Sequence, residues 1–368
     1  MKQACVHSFP MTHPADVAAL AAELAAGRIA ARAIAGIIVK TEGNGLDNDW
    51  TRVMAWDALV ALLRAHDTEP SVQRMSIIVS GGCEGVTTPH MVVFECRDVP
   101  AEHPPGRALA IGHAVSEPLL PEQIGTAAQV ASTCLAVERA MQQAGLAREE
   151  VEYVQVKAPW LSEVHQQAAL ARGVRLKAAD AHASKPWTRA ACALGVALAL
   201  GEATPAQASE AAINSDASVF TRRAAVTAGN DTLQNEVLVF GMSSGWAGSA
   251  RVAQASLADL LDAGAIHDAL ARAGLPPRGA QLPAALQSQV RAVLFKGDPA
   301  RSGLLRGERQ LMWHDSDVHA LRHLRAVMSG VIGAVTGTTR VFVSAGAEHQ
   351  GPPGGGTFAV FVDAAAQA

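Results

Sequence analysis

Aromatic residues are scarce in this chain, with one tyrosine, six tryptophans and eight phenylalanines among 368 residues. About half the residues are apolar and Ala and Gly are abundant, which favours a compact α/β protein with close helix–sheet packing over a disordered chain. There is no basic cluster and the formal net charge is −4, which argues against nucleic acid as the main partner. The five cysteines, Cys5, Cys83, Cys96, Cys134 and Cys192, show no CxxC or ligand-like spacing and read as reduced thiols of a cytoplasmic protein. No apolar run reaches spanning length, and no N-terminal segment combines basic residues, an apolar core and a cleavage site, so neither a membrane nor an export signal is expected. Thirteen histidines contain no HxH or HExxH, which speaks against a zinc hydrolase.

What is present is one device used three times. An apolar strand runs into a serine and then into small residues at RMSIIVSGGCEG (Arg74 to Gly85), EVLVFGMSSGWAGS (Glu236 to Ser249) and TRVFVSAGAEHQG (Thr339 to Gly351). A strand that breaks into a tight turn presents backbone N–H groups and one hydroxyl at a sheet end, which suits an activated serine beside an oxyanion site. Three such turns spread over the chain predict an internal triplication. The intervening segments follow the same order. IAGIIVK, VEYVQVK and RAVLFK read as strands that end in Lys40, Lys157 and Lys296. Helices with Arg52, Arg189 and Arg322 near their starts come next, and helical spacing also marks 14–26, 121–145 and 257–273. The expected fold class is α/β, with three similar repeat units around a pseudo-threefold axis in a barrel-like arrangement. Unit A is placed at 1–103, a linker at 104–110 beside the proline-rich VPAEHPPG, unit B at 111–250 and unit C at 251–368.

Brought around one axis, three lysines, three arginines and three serines make a pocket for a small, flat, carbonyl-rich, anionic ligand. Crowded cations disfavour one another's protonation, so a lysine there can lose its proton near neutral pH and act as general base toward a hydroxyl. Arginine stays charged and offers forked donors to carbonyl oxygens. Acyl transfer, in the form of amide hydrolysis, is the reaction these parts imply. Two other readings use the same residues. GMSSG (Gly241 to Gly245) matches the GxSxG nucleophile elbow of α/β-hydrolases, with Ser243 as nucleophile and His314, His319, His323 or His349 as its histidine, but this leaves the lysines and arginines unexplained. A binding protein without turnover is the other. The loop AEHQGPPGGG (Ala347 to Gly356) reads either as a flexible connector or as a turn whose glycines and prolines would point backbone carbonyls inward, which suits a hard cation with Asp298 as a carboxylate.

KTEGNG with WTR, MSIIVSGGCEGVTTPH, VQVKAPWL, DSDVHALRHLRAV and above all VSAGAEHQGPPGGG closely resemble the ring-opening amidohydrolases, the family of cyanuric acid hydrolases and barbiturases. The resemblance covers essentially the whole chain. It implies three α/β units around a pseudo-threefold axis, usually assembled as a homotetramer, with no organic cofactor. It implies Ser243 as nucleophile and Lys157 as its base, while Lys40 with Ser80 and Lys296 with Ser344 bind and polarise the remaining ring carbonyls. Arg52, Arg189 and Arg322 would contact the substrate, as would the turns Ser80–Gly81, Ser243–Ser244 and Ser344–Ala345. Val318, about one helical turn before Arg322, would influence the choice of ring. A Mg or Ca ion would sit near the last turn, held by Asp298, Ala347, Gln350, Gly351, Pro352 and Gly355. The chain departs from the family pattern in carrying Asp298 for Glu and Ser344–Ala345 for Ser-Gly. The expected reaction is hydrolytic opening of cyanuric acid to carboxybiuret, which then gives biuret and carbon dioxide, with barbituric acid as the alternative ring.

Overall fold

The computed structural model describes residues 1–66, 69, 74–100, 106–230 and 232–363. Apart from short insertions, chiefly a helix at Glu163–Ala171 in the second unit and a small hairpin at Leu304–Arg309 in the third, its chain path is strand, helix, strand, helix, strand, strand, three times over. Unit A contains β1 (Lys2–Pro10), α1 (Ala18–Ala25), β2 (Ile34–Thr41), α2 (Thr51–Ala65), β3 (Ser76–Gly81) and β4 (His90–Asp98). Unit B contains β5 (Ala108–Val115), α3 (Ala127–Ala144), β6 (Val151–Pro159), α4 (Ala181–Ala199), β7 (Ala224–Asn230) and β8 (Glu236–Ser243). Unit C contains β9 (Ala250–Leu257), α5 (Ala263–Arg272), β10 (Val290–Gly297), α6 (Ala320–Thr336), β11 (Phe342–Ala345) and β12 (Gly356–Asp363).

Each unit builds its own sheet in one order, third, second, fourth, first: β3-β2-β4-β1, β7-β6-β8-β5 and β11-β10-β12-β9. The second and third strands are parallel, and the fourth runs antiparallel to both the second and the first. Even the irregularities coincide. Each second strand slips register once near its start, at Ile34/Gly36, Val151/Tyr153 and Val290/Ala292. The sheets stay separate and do not close into a barrel. A two-residue strand, Trp246–Ala247, adds to β1 in parallel, so the chain between units B and C is laced back onto unit A.

The central strands read as near-continuous apolar runs because both faces are covered, one by the unit's own helices and one by the other units. One large cluster draws Phe94 and Ile38 from unit A, Phe240 and Val154 from unit B, and Phe361 and Leu294 from unit C. At its centre the rings of Phe94, Phe240 and Phe361 meet with centroids 4.8, 5.2 and 4.9 Å apart. These three occupy one register position, opposite Gly36, Tyr153 and Ala292, just after the slip in each sheet.

Three details differ from the sequence reading. β5 begins at Ala108, inside the stretch assigned to the linker, and residues 101–105 of the proline-rich stretch lie outside the described residues. The helix expected from 257 begins only at Ala263, because Ala250–Leu257 is taken up as a strand and Asp262 caps the helix, its side chain accepting from Ala265 N. β7, which pairs with β6, was not marked in the sequence at all. Among the described residues no helix is long and apolar enough to cross a membrane.

Candidate active site

Four residues beyond the phenylalanines along each fourth strand, roughly 13 Å at the rise of a strand, the three sheets carry a polar layer. In unit A it is Ser80–Lys40–His90 across β3, β2 and β4. In unit C it is Ser344–Lys296–Thr357 across β11, β10 and β12. In unit B it is Thr227–Lys157–Glu236 across β7, β6 and β8. Lys296 Nζ donates to Ser344 Oγ at 3.1 Å and to the Ala345 carbonyl at 2.7 Å. Lys40 Nζ donates to Ser80 Oγ at 3.5 Å and to the Gly81 carbonyl at 3.0 Å. Complete burial, then the nearby guanidinium of Arg325 or Arg189, pushes Lys40 and Lys296 each down to about 7.

The hydroxyl beside Lys157 therefore belongs to Thr227, and the assignment of Ser243 is corrected. Ser243 ends β8 opposite Ala108, seven residues from Glu236, the β8 residue opposite Lys157. That is roughly 23 Å along an extended strand. Its Oγ accepts from Gly245 N at 3.1 Å, a local turn bond, and Ser244 beside it is exposed. The physical reason is topological. β8 is the antiparallel return strand, equivalent to β4 and β12, whereas the layer's hydroxyl is carried by the strand parallel to the lysine strand. In unit B that strand is the alanine-rich AAVTAGN, which has threonine where the other two have serine. One signal could have found it. A glycine follows two residues after each hydroxyl, Gly82, Gly229 and Gly346, with φ of 97°, 122° and 81°, a region that favours glycine. A Cβ on Gly82 or Gly346 would lie 2.7 Å from the guanidinium of Arg325 or Arg189.

Those two arginines repeat a second pattern. Arg189 on α4 holds Glu348, four residues after Ser344, by bonds of 2.7 and 2.8 Å. Arg325 on α6 holds Glu84, four residues after Ser80, by two bonds of 2.6 Å. The position four residues after Thr227, Asp231, lies outside the described residues. Each partly buried carboxylate is kept ionised by its arginine and each arginine is held in place. Arg189, although desolvation opposes its charge, is raised by Glu348 and the more distant Asp298. Arg322, the residue expected here, is half-exposed and makes only a 3.1 Å bond to Glu84. One turn on, Arg325 faces inward.

A cavity of about 300 Å³ lies inside this frame, lined by Arg52, Arg189, Arg325, Lys296, Ser80, Gly81, Thr227, Ser344 and Ala345. Lys157 lines the wall of an adjoining cavity of about 560 Å³ with Trp50, Trp56, Trp160 and Glu236. Arg52, Val79 and Lys185 line both. Lys185 pairs with Asp47 of the unit A loop, and burial, then Arg189, lowers it to about 8. Lys40 sits behind Ser80 rather than on the cavity surface. Val318 is exposed and absent from the lining, where His319 and Leu321 stand instead.

The six residues expected to hold a cation, Asp298, Ala347, Gln350, Gly351, Pro352 and Gly355, line one further cavity of about 420 Å³. Asp298 is partly buried, and its two oxygens accept from Gly346 N at 2.7 Å and Ala347 N at 2.6 Å. Burial, then Glu348, raises its pKa. Gln350 Oε1 is turned away and accepts from Val226 N at 2.6 Å. The donors left for a cation are oxygen only, one carboxylate and backbone carbonyls, a set that fits a hard divalent ion.

Comparison with known proteins identifies the family. Residues 5–363 match the family described as amidohydrolase ring-opening protein. A protein named cyanuric acid amidohydrolase from Bradyrhizobium sp. (strain ORS 375) is 42% identical over 367 residues, 99% of this chain and 98% of that one. A protein named cyclic amide hydrolase from Azorhizobium caulinodans is 38% identical over 364 residues, 98% of this chain and 99% of that one. A solved structure described as a cyanuric acid hydrolase that arose by structural concatenation superposes with a TM-score of 0.92 at 35% identity, covering 99% of this chain and all of its own.

Proposed function

Because the chain belongs to the amidohydrolase ring-opening protein family, we propose that it hydrolyses a ring C–N bond of cyanuric acid. The observation that carries this reading is the threefold layer of lysine–hydroxyl pairs around one arginine-lined cavity. A flat ring with three carbonyls can present one to each unit. Ser80 with Lys40 and Ser344 with Lys296 bind and polarise two of them, and Arg52, Arg189 and Arg325 supply forked donors. At the third, Lys157 takes the proton of Thr227 as the hydroxyl oxygen attacks the carbonyl carbon. The ring C–N bond breaks, the leaving nitrogen takes the proton from Lys157, and water hydrolyses the ester to carboxybiuret, which loses carbon dioxide to give biuret. Turnover of purified protein on cyanuric acid and on barbituric acid, with products identified, tests the reading. Biuret from cyanuric acid is the expected result. Turnover of barbituric acid alone would move the substrate while keeping the chemistry, and failure on both would sink the proposal.

A Mg or Ca ion held by Asp298 and the carbonyls of the 347–355 loop belongs to the same proposal. Such an ion would supply positive charge beside the partly buried Asp298 carboxylate and would hold the loop. Chelation is then expected to lower the Tm, and added Mg or Ca to restore it. A homotetramer is the expected assembly, which light scattering measures.

A further inference from the structure

The three polar layers are equivalent in register but not in charge. Opposite Lys40 stands His90, and opposite Lys296 stands Thr357. Both are buried and neither can balance a cation. Burial lowers His90 to about 4, so its imidazole is neutral, and Thr357 does not ionise. His90 Nε2 and Thr357 Oγ1 find no hydrogen-bond partner among the described residues. Opposite Lys157 stands Glu236, a buried carboxylate that lines the same cavity wall as the lysine. Directly paired residues on antiparallel strands project from one face with Cβ atoms about 5 Å apart.

We propose that Glu236 is the positioning residue that makes the unit B pair the reacting one, by orienting Lys157 and balancing the ammonium formed when Thr227 gives up its proton. This rests on the reading of Lys157 as base. Transfer of the proton from Thr227 Oγ1 to Lys157 Nζ creates a cation in a site already crowded with them. The cavity at Lys157 carries Arg52 and Lys185 as cations, with Asp47, Asp49 and Glu236 as carboxylates. Asp47 is taken up by Lys185 and His182, and Asp49 by Gly45 N and Thr51. Glu236 is the carboxylate placed in register with the lysine. The arrangement parallels the role of a buried carboxylate behind a general base in hydrolytic triads, which orients the base and stabilises its protonated form without itself taking the proton. In units A and C the residue in register with the lysine carries no charge, and the nearest carboxylates, Glu84 and Glu348, are already held by Arg325 and Arg189, so those pairs are left to bind.

The test is the pH dependence of kcat/KM on cyanuric acid for Glu236→Gln and Glu236→Asp beside the wild type. A base must be neutral to act, so activity rises with pH through the pKa of Lys157. A facing carboxylate raises that pKa, and its removal is expected to move the ascending limb to lower pH by about 1 unit. The plateau is expected to fall at least about tenfold, because the forming ammonium is no longer stabilised. The Asp variant restores the limb toward the wild-type position. Lys40 and Lys296 titrate in the same range but are common to all forms, so the difference between variants isolates Lys157. Thr357→Val, the unit C counterpart, is expected to leave the limb in place. An unmoved limb in the Gln variant overturns the proposal, as does an equal shift from Thr357→Val. Wild-type turnover that survives Lys157→Ala would instead overturn the base assignment beneath it, so the two failures read differently.

Discussion

Thr227 and Ser243 differ by one methyl and by the end of the sheet they occupy, and the chemistry separates them. Thr227→Ala is expected to lower kcat at least about 10³-fold, as loss of a nucleophile does, while Thr227→Ser keeps turnover. Ser243→Ala is expected to keep turnover and to cost about 1 kcal/mol of stability, for the one turn bond it loses. Steady-state rates and urea melts on the three variants decide this. The lysines carry a second prediction. Lys40 and Lys296 have folded pKa values near 7, below the unfolded value of about 10.4. Between these limits the unfolded chain binds more protons than the folded one, so stability rises with pH there. Lys296→Met is expected to flatten the rise measured between pH 7 and 9 by up to about 1.4 kcal/mol per pH unit. A slope identical to wild type would show that Lys296 is charged when folded. The sequence disclosed the three lysines because each ends an apolar run. It did not disclose Thr227, because a hydroxyl on a strand of alanines looks like any strand residue until the register is known.

Helix faces set which arginine reaches the cavity. Arg322 and Arg325 lie three residues apart on α6, and the sequence alone offers the first, nearer the helix start. Arg325, not Arg322, turns inward, with a side chain 7% exposed against 49%. Arg325→Ala leaves the partly buried Glu84 without its inward partner and is expected to cost about 3 kcal/mol together with most of kcat/KM. Arg322→Ala is expected to change stability by no more than about 0.5 kcal/mol. Equal effects from the two would place the helix in another rotation. The 347–355 loop was legible as a special element from its glycines and prolines. Its grip on the neighbouring unit was not, since that depends on chain segments far apart in sequence. Thr221 and Gln350 form a parallel bridge, Gly351 N donates to the Thr221 carbonyl at 2.8 Å, and Gln350 Oε1 accepts from Val226 N, the residue before Thr227. The loop of unit C thus holds the strand that carries the hydroxyl of unit B. Gln350→Leu strands a buried N–H, at a cost of about 1–3 kcal/mol, and is expected to lower kcat more than it raises KM, because Thr227 is misplaced rather than removed.

At the scale of the whole molecule, the triplication was readable from the order of strands and motifs, but the axis itself was not. Phe94, Phe240 and Phe361 sit in unremarkable apolar runs, and only their shared register after each slip identifies them as equivalents. Their mutual contact means that no unit completes its core alone: each ring is buried by the other two. Separate folding of the units would expose those rings together with the shared cluster around them, so unfolding should be one cooperative event rather than three. Truncating any one ring removes packing from all three units. Phe240→Ala is expected to cost about 3–5 kcal/mol, and Phe94→Ala and Phe361→Ala similar amounts. Neighbours that share a cavity do not add independently, so the Phe94→Ala/Phe240→Ala pair is expected to cost less than the sum of its parts. Because the rings stand roughly 13 Å from the lysine layer, KM for the ring substrate should hold in each variant at temperatures well below its melt. Calorimetry and kinetics on the same samples check both halves. Independent melting of units in any variant would mean that the cluster is a local core and that the threefold site is held together by the arginine–glutamate pairs at its rim.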